Sequence, residues 1–393
     1  MDDAVNNGLL PEGLRDGLPP RAAHNTHVVR ALEDHFARNG YALVAPPLIE
    51  FEAGLRGRVD AGQGNSSDAF RLLDPVSQKT LIVRSDITRQ VARIAETRMT
   101  EEPRPLRLSY TGSALRTRGS QLQPSRQVRQ VGFELIGADG LNAAKELADI
   151  VFSAFEQFDL PALTYDLSFP GLIPALCAEL GLSASQTEQV IRALDDKDAA
   201  GFSALPPKDA EIFLALLAAI GSPQQVMAAV EKIALPANVR KLWSNAVALI
   251  DVFTRAVGAE RLHVDPGEVH GFSYQAGWAL SVFSQGIRGE LGKGGAYALT
   301  GADMTEPAQG FTFYPDVFAP STLASSNGQA TPKILVPADT SADIVANLQA
   351  DGYVTIRDLS PKAGTSDELG KRAAHLRCSA FFFDGRIESV KAV

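Results

Sequence analysis

The sequence predicts an α+β protein: an antiparallel sheet flanked by helices, a helical insertion, and a small C-terminal α/β domain. Three observations lead there. Two ten-residue runs, Leu106–Leu115 and Gln127–Ile136, alternate with the period of antiparallel strands that have one face in a core. Residues 172–257 turn to helical spacing, in segments such as EIFLALLAAIG and VRKLWSNAVALIDVF separated by Gly and Pro breaks. Beyond APSTLASSNGQATP, a linker by composition, KILVPA, a helix from Ser341 to Ala350, YVTIRDL, a helix near Glu368–Leu376 and SAFFFDG alternate as β-α-β-α-β. The expected organisation is a core over residues 1–318, a linker over 319–332 and a small domain over 333–393.

The elements follow in order. Val28, Val29, Leu32 and Phe36 recur at helical spacing and predict a helix over 25–39, stopped at Gly40. Tyr41–Ala45 reads as a strand running into Pro46 and Pro47. A strand at Leu81–Arg84 leads through Ser85 and Asp86, good N-cap types, into a helix carrying Ile87, Val91 and Ile94 on one face. The two long strands come next, separated by a polar loop with Gly119 and Pro124. After the helical segment, strand character returns at Gly271–Ser284, Ala296–Thr300 and Gly310–Phe313 around a glycine-rich stretch.

Composition bounds the function. With 393 residues, 45% hydrophobic and 21% charged, the chain is long enough for more than one domain and too apolar for global disorder. A net charge of −9 argues against a protein that coats nucleic acid through its overall field. Cys177 and Cys378 lie far apart and form no CxxC pair, so neither a disulfide framework nor a zinc site is expected, and both read as buried small apolar residues in a reducing compartment. The N-terminus is acidic and broken by Gly and Pro, unlike a signal peptide, and the most apolar stretch, Phe213–Ile220, is too short to span a membrane. A cytoplasmic location is expected.

The most informative strand is Gln127–Ile136. Val131, Phe133 and Leu135 share a face that belongs to a core, while Gln130, Gly132, Glu134 and Ile136 share the other. That second face suits the floor of a polar pocket, with room left over Gly132; a solvated sheet face has the same pattern. Arg104, Arg107, Arg116, Arg118, Arg126 and Arg129 make this region basic, which suits carboxylate or phosphate recognition, or ordinary pairing with acidic neighbours. GIRGELGKGGAY lacks the spacing and the Ser/Thr of a phosphate loop and reads as a glycine-lined hairpin that lets a ligand or a backbone approach closely. The six histidines have no metal-ligand spacing, and no GxSxG elbow is present, so no metal is predicted.

Taken in order, GYALVAPPLIEF, LIVRSDITRQVARI, RPLRLSYTGSALRTR, SRQVRQVGFELIG, HGFSYQAGWALSVF and GGAY resemble the class II histidyl-tRNA synthetase core over roughly residues 8–318. The resemblance implies that family's antiparallel sheet, with the first segment in a dimer interface. It also exposes departures. Arg116 matches the motif 2 arginine that handles ATP, but Arg118 stands where the motif's glutamate belongs. His270 replaces the arginine that helps activate the histidine carboxylate, and Tyr314 and Val317 replace a motif 3 glycine and the arginine that packs on adenine. The resemblance therefore implies no catalytic residues and no cofactor. The amino-acid pocket departs less: Asp86, Thr88, Gln130 and Glu134 fall on substrate-reading positions, Arg116 is kept, and Tyr274 and Tyr297 match family tyrosines, while Gln275 replaces another.

A synthetase-like chain with its pocket partly kept and its chemistry removed resembles the family of ATP phosphoribosyltransferase regulatory subunits. That resemblance implies, as partners, a short-form ATP phosphoribosyltransferase catalytic subunit at the first step of histidine biosynthesis and a second copy of the chain, with histidine as candidate ligand and neither nucleic acid nor membrane. Residues 333–393 carry eight basic and eight acidic side chains, a poor balance for reading tRNA. Two rivals stay open at this point: a divergent class II ligase, and a stand-alone amino-acid sensor.

Overall fold

The computed structural model describes residues 8–55, 69–119, 123–269, 275–300, 305–318, 332–360 and 364–390. The chain divides into two compact units, residues 1–325 and 326–393.

The first unit begins with α1 (Arg21–Arg38), β1 (Ala42–Leu43), β2 (Ile49–Phe51), α2 (Glu52–Leu55), β3 (Arg71–Leu73), β4 (Thr80–Val83) and α3 (Thr88–Arg98). The long pair β5 (Leu106–Leu115) and β6 (Gln127–Ile136) follows, then α4 (Gly140–Phe155) and β7 (Leu163–Ser168). Helices α5 (Leu172–Glu179), α6 (Ala184–Asp195), α7 (Pro207–Ala218), α8 (Pro223–Val230) and α9 (Ala237–Val257) lead to β8 (Leu262–Asp265), β9 (Gln275–Ser284), β10 (Gly292–Thr300) and β11 (Thr305–Phe313). Eight strands form one sheet in the order β1-β5-β6-β11-β10-β9-β7-β8, and β2-β4-β3 form a small second sheet.

The large sheet is antiparallel from β5 to β7, as the alternation predicts. It departs from a purely antiparallel sheet at both edges, where β1 runs parallel to β5 and β8 parallel to β7. Connectivity explains this. Parallel neighbours need a long crossover, and here the small sheet with α3 joins β1 to β5 while α5–α9 join β7 to β8. The helical segment is thus the crossover of a sheet edge, and its side chains Leu176, Phe213, Trp243 and Phe253 share one core cluster with the sheet.

Strand β6 explains how that sheet is buried. Val131 and Phe133 enter the cluster that includes α1 and α4, where the Phe36 and Phe133 rings lie 5.1 Å apart and Phe36 and Phe313 5.8 Å apart. Ile136 enters a second cluster with Ile87, Val91, Leu108 and Tyr110, so α3 covers part of the other face. Both cysteines are buried and free. Among the described residues, no helix is long and apolar enough to cross a membrane.

The second unit holds β12 (Lys333–Val336), α10 (Ala342–Ala350), β13 (Val354–Arg357), α11 (Ser366–His375), β14 (Ala380–Phe383) and β15 (Arg386–Ser389), with the sheet order β13-β12-β14-β15. The first three strands are parallel, as β-α-β-α-β spacing requires. Thr365 and Glu368 close a capping box on α11. The last strand was not expected. It forms because Asp384 and Gly385 both take positive φ, the two-residue hairpin turn that an Asp-Gly pair favours.

Candidate functional site

Gln130 and Glu134 sit in the middle of β6 and are 0% and 1% exposed, so the polar face of this strand is buried. This sets aside the solvated-face reading, which would leave both side chains in water. The space over Gly132, however, is occupied. A Cβ there would lie 2.5 Å from the hydroxyl of Tyr110, which crosses from β5 to meet Thr312 Oγ1 on β11 at 2.7 Å. Glycine here admits a neighbouring phenol instead of leaving a vacancy.

Glu134 is the centre of a hydrogen-bond network. Thr88 Oγ1 donates to its Oε1 at 2.9 Å, and the Tyr297 hydroxyl donates to Oε2 at 2.7 Å. Thr88 Oγ1 also lies 3.3 Å from the Tyr110 hydroxyl. The carboxyl leans across Gly310 of β11, where any Cβ would collide with Oε2. Burial pushes the Glu134 pKa up from 4.5 to about 7, against the pull of Tyr297 and Thr88. The Tyr110 phenol is pushed well above its ordinary value, first by burial and then by the Glu134 charge.

Asp86 holds the second half of the site. Its Oδ1 accepts the Thr88 backbone N–H at 2.8 Å and its Oδ2 accepts Gln130 Nε2 at 3.1 Å, while Gln130 Oε1 accepts the Ile87 N–H at 3.0 Å. The helix itself starts at Thr88, so Asp86 satisfies a first-turn donor from one residue before the N-cap. These bonds tie the entrance of α3 to the centre of β6.

The structure thus brings together Asp86, Thr88, Gln130, Glu134 and Tyr297. Arg116, half-buried just past the end of β5, makes none of these hydrogen bonds, but its charge acts on Lys293 and Tyr314; Tyr274 and His270 lie outside the described residues. Two of the six arginines follow the ordinary pairing: Arg104 with Glu306 and Arg107 with Glu146, each at 2.7 Å. Arg118 is exposed. Val317 packs against the main core, and Tyr314 is 2% exposed. An apolar cleft of about 460 Å³ between α4, α5, α9 and the sheet is lined by Leu141, Leu242, Trp278 and Gln309, and Tyr297 is the one predicted site residue on its wall.

Sequence reasoning missed Tyr110 and Thr312, which complete the network, and Arg84, which is buried and donates to the carbonyls of Ser113 (2.7 Å) and Pro46 (3.0 Å). The signal for Arg84 was Gly112, since a Cβ there would strike the guanidinium.

The raised carboxyl gives a pH test. Because the folded-state pKa exceeds the unfolded one, folding takes up a proton between pH 4.5 and about 7, and stability falls as pH rises through that window. Glu134→Gln should remove this slope. Relative to wild type, the variant should gain roughly 3 kcal/mol between pH 4 and pH 8 in urea titrations. Parallel curves for the two proteins would show that folding does not raise the Glu134 pKa.

The histidyl-tRNA synthetase family matches residues 13–317. Over the whole length, the chain is 40% identical to the ATP phosphoribosyltransferase regulatory subunit of Rhodospirillum centenum, covering 99% of each chain. It is 39% identical to the protein of the same description from Rhodospirillum rubrum, covering 94% of each. A solved structure from Bacillus halodurans, described as an ATP phosphoribosyltransferase regulatory subunit/histidyl-tRNA synthetase, is similar with a TM-score of 0.78 at 20% identity, covering 94% of this chain and 97% of that one, and speaks for the fold alone. With that fold from end to end and relatives this near over their full length, the chain belongs to the ATP phosphoribosyltransferase regulatory subunits, a family built on the histidyl-tRNA synthetase core.

Proposed function

We propose that this chain is a non-catalytic subunit that assembles with a short-form ATP phosphoribosyltransferase catalytic subunit and tunes the first step of histidine biosynthesis, with histidine bound at the Glu134 site. The observation that carries the non-catalytic reading is the fate of the ATP-handling positions. Arg118 points a second cation into solvent where a ligase of this fold has a glutamate, and Val317 is a core contact where such a ligase has an adenine-packing arginine. Adenylation depends on charge fixed in place before the reaction, and of the side chains that would supply it Arg116 is kept while the motif 2 glutamate and the adenine-packing arginine are replaced. The full-length similarity to proteins described as regulatory subunits supports the same conclusion.

Self-association through the region resembling motif 1 is supported by an apolar patch. Phe51 on β2 and Leu72 on β3, which share one face of the small sheet across Leu81, are 45% and 39% exposed, adjacent apolar side chains left in water. We expect a dimer in sedimentation equilibrium, and Phe51→Glu with Leu72→Glu should shift it to monomer. A wild-type monomer at micromolar concentration would refute this element. The residues 1–318 then serve as the sensing core and 333–393 as a separate small domain.

Three further outcomes test the main reading. The chain should show no histidine-dependent ATP–pyrophosphate exchange, should co-elute with the catalytic subunit, and should change its turnover or its histidine sensitivity. Regulation of that kind corresponds to a coupling of about 1–3 kcal/mol. Exchange at a ligase rate, or separate elution with phosphoribosyl transfer unaffected, overturns the proposal.

The ligand is tested through its ammonium. A bound ammonium favours the ionised form of Glu134, so histidine should bind more tightly as pH rises toward 7 and should release a proton, read as a dependence of the calorimetric heat on buffer. Glu134→Gln should bind at least about tenfold more weakly and lose this pH dependence. The titration of the ligand's own imidazole is common to both proteins and cancels. Equal affinities would place the effector elsewhere.

A further inference from the structure

Four strands of the sheet set one row of residues side by side: Tyr110 on β5, Gly132 on β6, Thr312 on β11 and Lys293 on β10. Directly paired residues point to the same face. Lys293 therefore rises on the face that carries the Tyr110–Thr312 hydrogen bond and Glu134. In the next row, Glu134 is paired with Gly310 and Gly310 with Gly295, so neither β11 nor β10 has a side chain in that row, and the Tyr297 hydroxyl reaches Glu134 from the row beyond. The Glu134 carboxyl leans over Gly310, in the direction of β10.

The charges on this face are divided. Carboxylates of Glu134 and Asp86 occupy the β6 and α3 side. On the β10 side, the Lys293 ammonium interacts with Tyr314, Glu290, Arg116 and Asp86, a setting in which its pKa is raised and it stays charged. Glu290 is itself engaged, accepting Ser281 Oγ at 2.6 Å. Two strand spacings separate β6 from β10, about 10 Å between backbones. The side chains of Glu134 and Lys293 rise on the same face of the sheet and so bring opposite charges into the space between these strands.

We propose that Lys293 is the carboxylate-binding residue of the site: with Arg116 it pairs the α-carboxylate of a bound amino acid whose ammonium meets Glu134 and Asp86. This rests on the amino-acid reading given above and adds to it the residue that distinguishes an amino acid from its amine or alcohol. Lysine suits the task as a mobile, compact charge at the end of a long stem.

The test compares histidine with histidinol, which keeps the ammonium and the imidazole but carries a hydroxymethyl group in place of the carboxylate. Binding to the full-length chain, alone and with its catalytic partner, is measured by calorimetry. Lys293→Gln should weaken histidine at least about tenfold while leaving histidinol within about twofold, and Lys293→Arg should restore most of the histidine affinity. An equal loss for both ligands shows that Lys293 only supports the structure, and no loss for either shows that it is not in the site. Each result overturns the proposal while leaving the amino-acid reading intact. If wild type binds neither ligand in either form, the amino-acid reading itself falls and this role for Lys293 falls with it.

Discussion

A carboxyl group removed from water at the centre of a ten-residue strand is the constraint around which this fold is arranged. Leaving Glu134 without donors would cost several kcal/mol, so the elements that face it must deliver hydroxyls to fixed points. Thr88 comes from the first turn of α3 and Tyr297 from β10, each within 2.9 Å of a carboxyl oxygen. Asp86 and Gln130 then fix where α3 begins, because both ends of the Gln130 amide are used in holding that segment. The position of a helix, two strands and a loop is thus tied to one side chain.

The same arrangement separates what can carry a charge from what can carry out a reaction. The network in the strand centres is satisfied internally and suits recognition by replacement of one partner with another. The positions a ligase of this fold uses on ATP lie at strand ends and in the turn after β11, where Arg118 is exposed and Val317 has joined the core. A family with regulatory members built on a synthetase core fits this division.

Much of this was legible in the sequence, for physical reasons that differ by region. The strands over Leu106–Leu115 and Gln127–Ile136 match the structure because long alternating runs specify both element and register. The parallel edges were not legible, since pairing direction depends on crossovers and not on local pattern. β15 was signalled by Asp384-Gly385 but needed the turn to be recognised as a hairpin. In the site, Gln130 and Glu134 stood out as polar residues opposite a core face, whereas Tyr110 and Thr312 looked like ordinary strand residues. Their role comes from lateral pairing across Gly132, which no single strand encodes.

The alternation along β6 also governs how the molecule can change over generations. Every polar group of the recognition face has a core side chain as its neighbour in sequence: Val131 beside Gln130, Phe133 beside Glu134. Gly310 admits no Cβ beneath the carboxyl, and Gly294 none beside the Gly310 carbonyl. Substitutions in the strand centres are therefore punished twice, once in the polar network on one face and once in the core on the other. The strand ends and loops carry no such double penalty. A chain of this fold can therefore vary at its periphery while the centre of its sheet stays fixed.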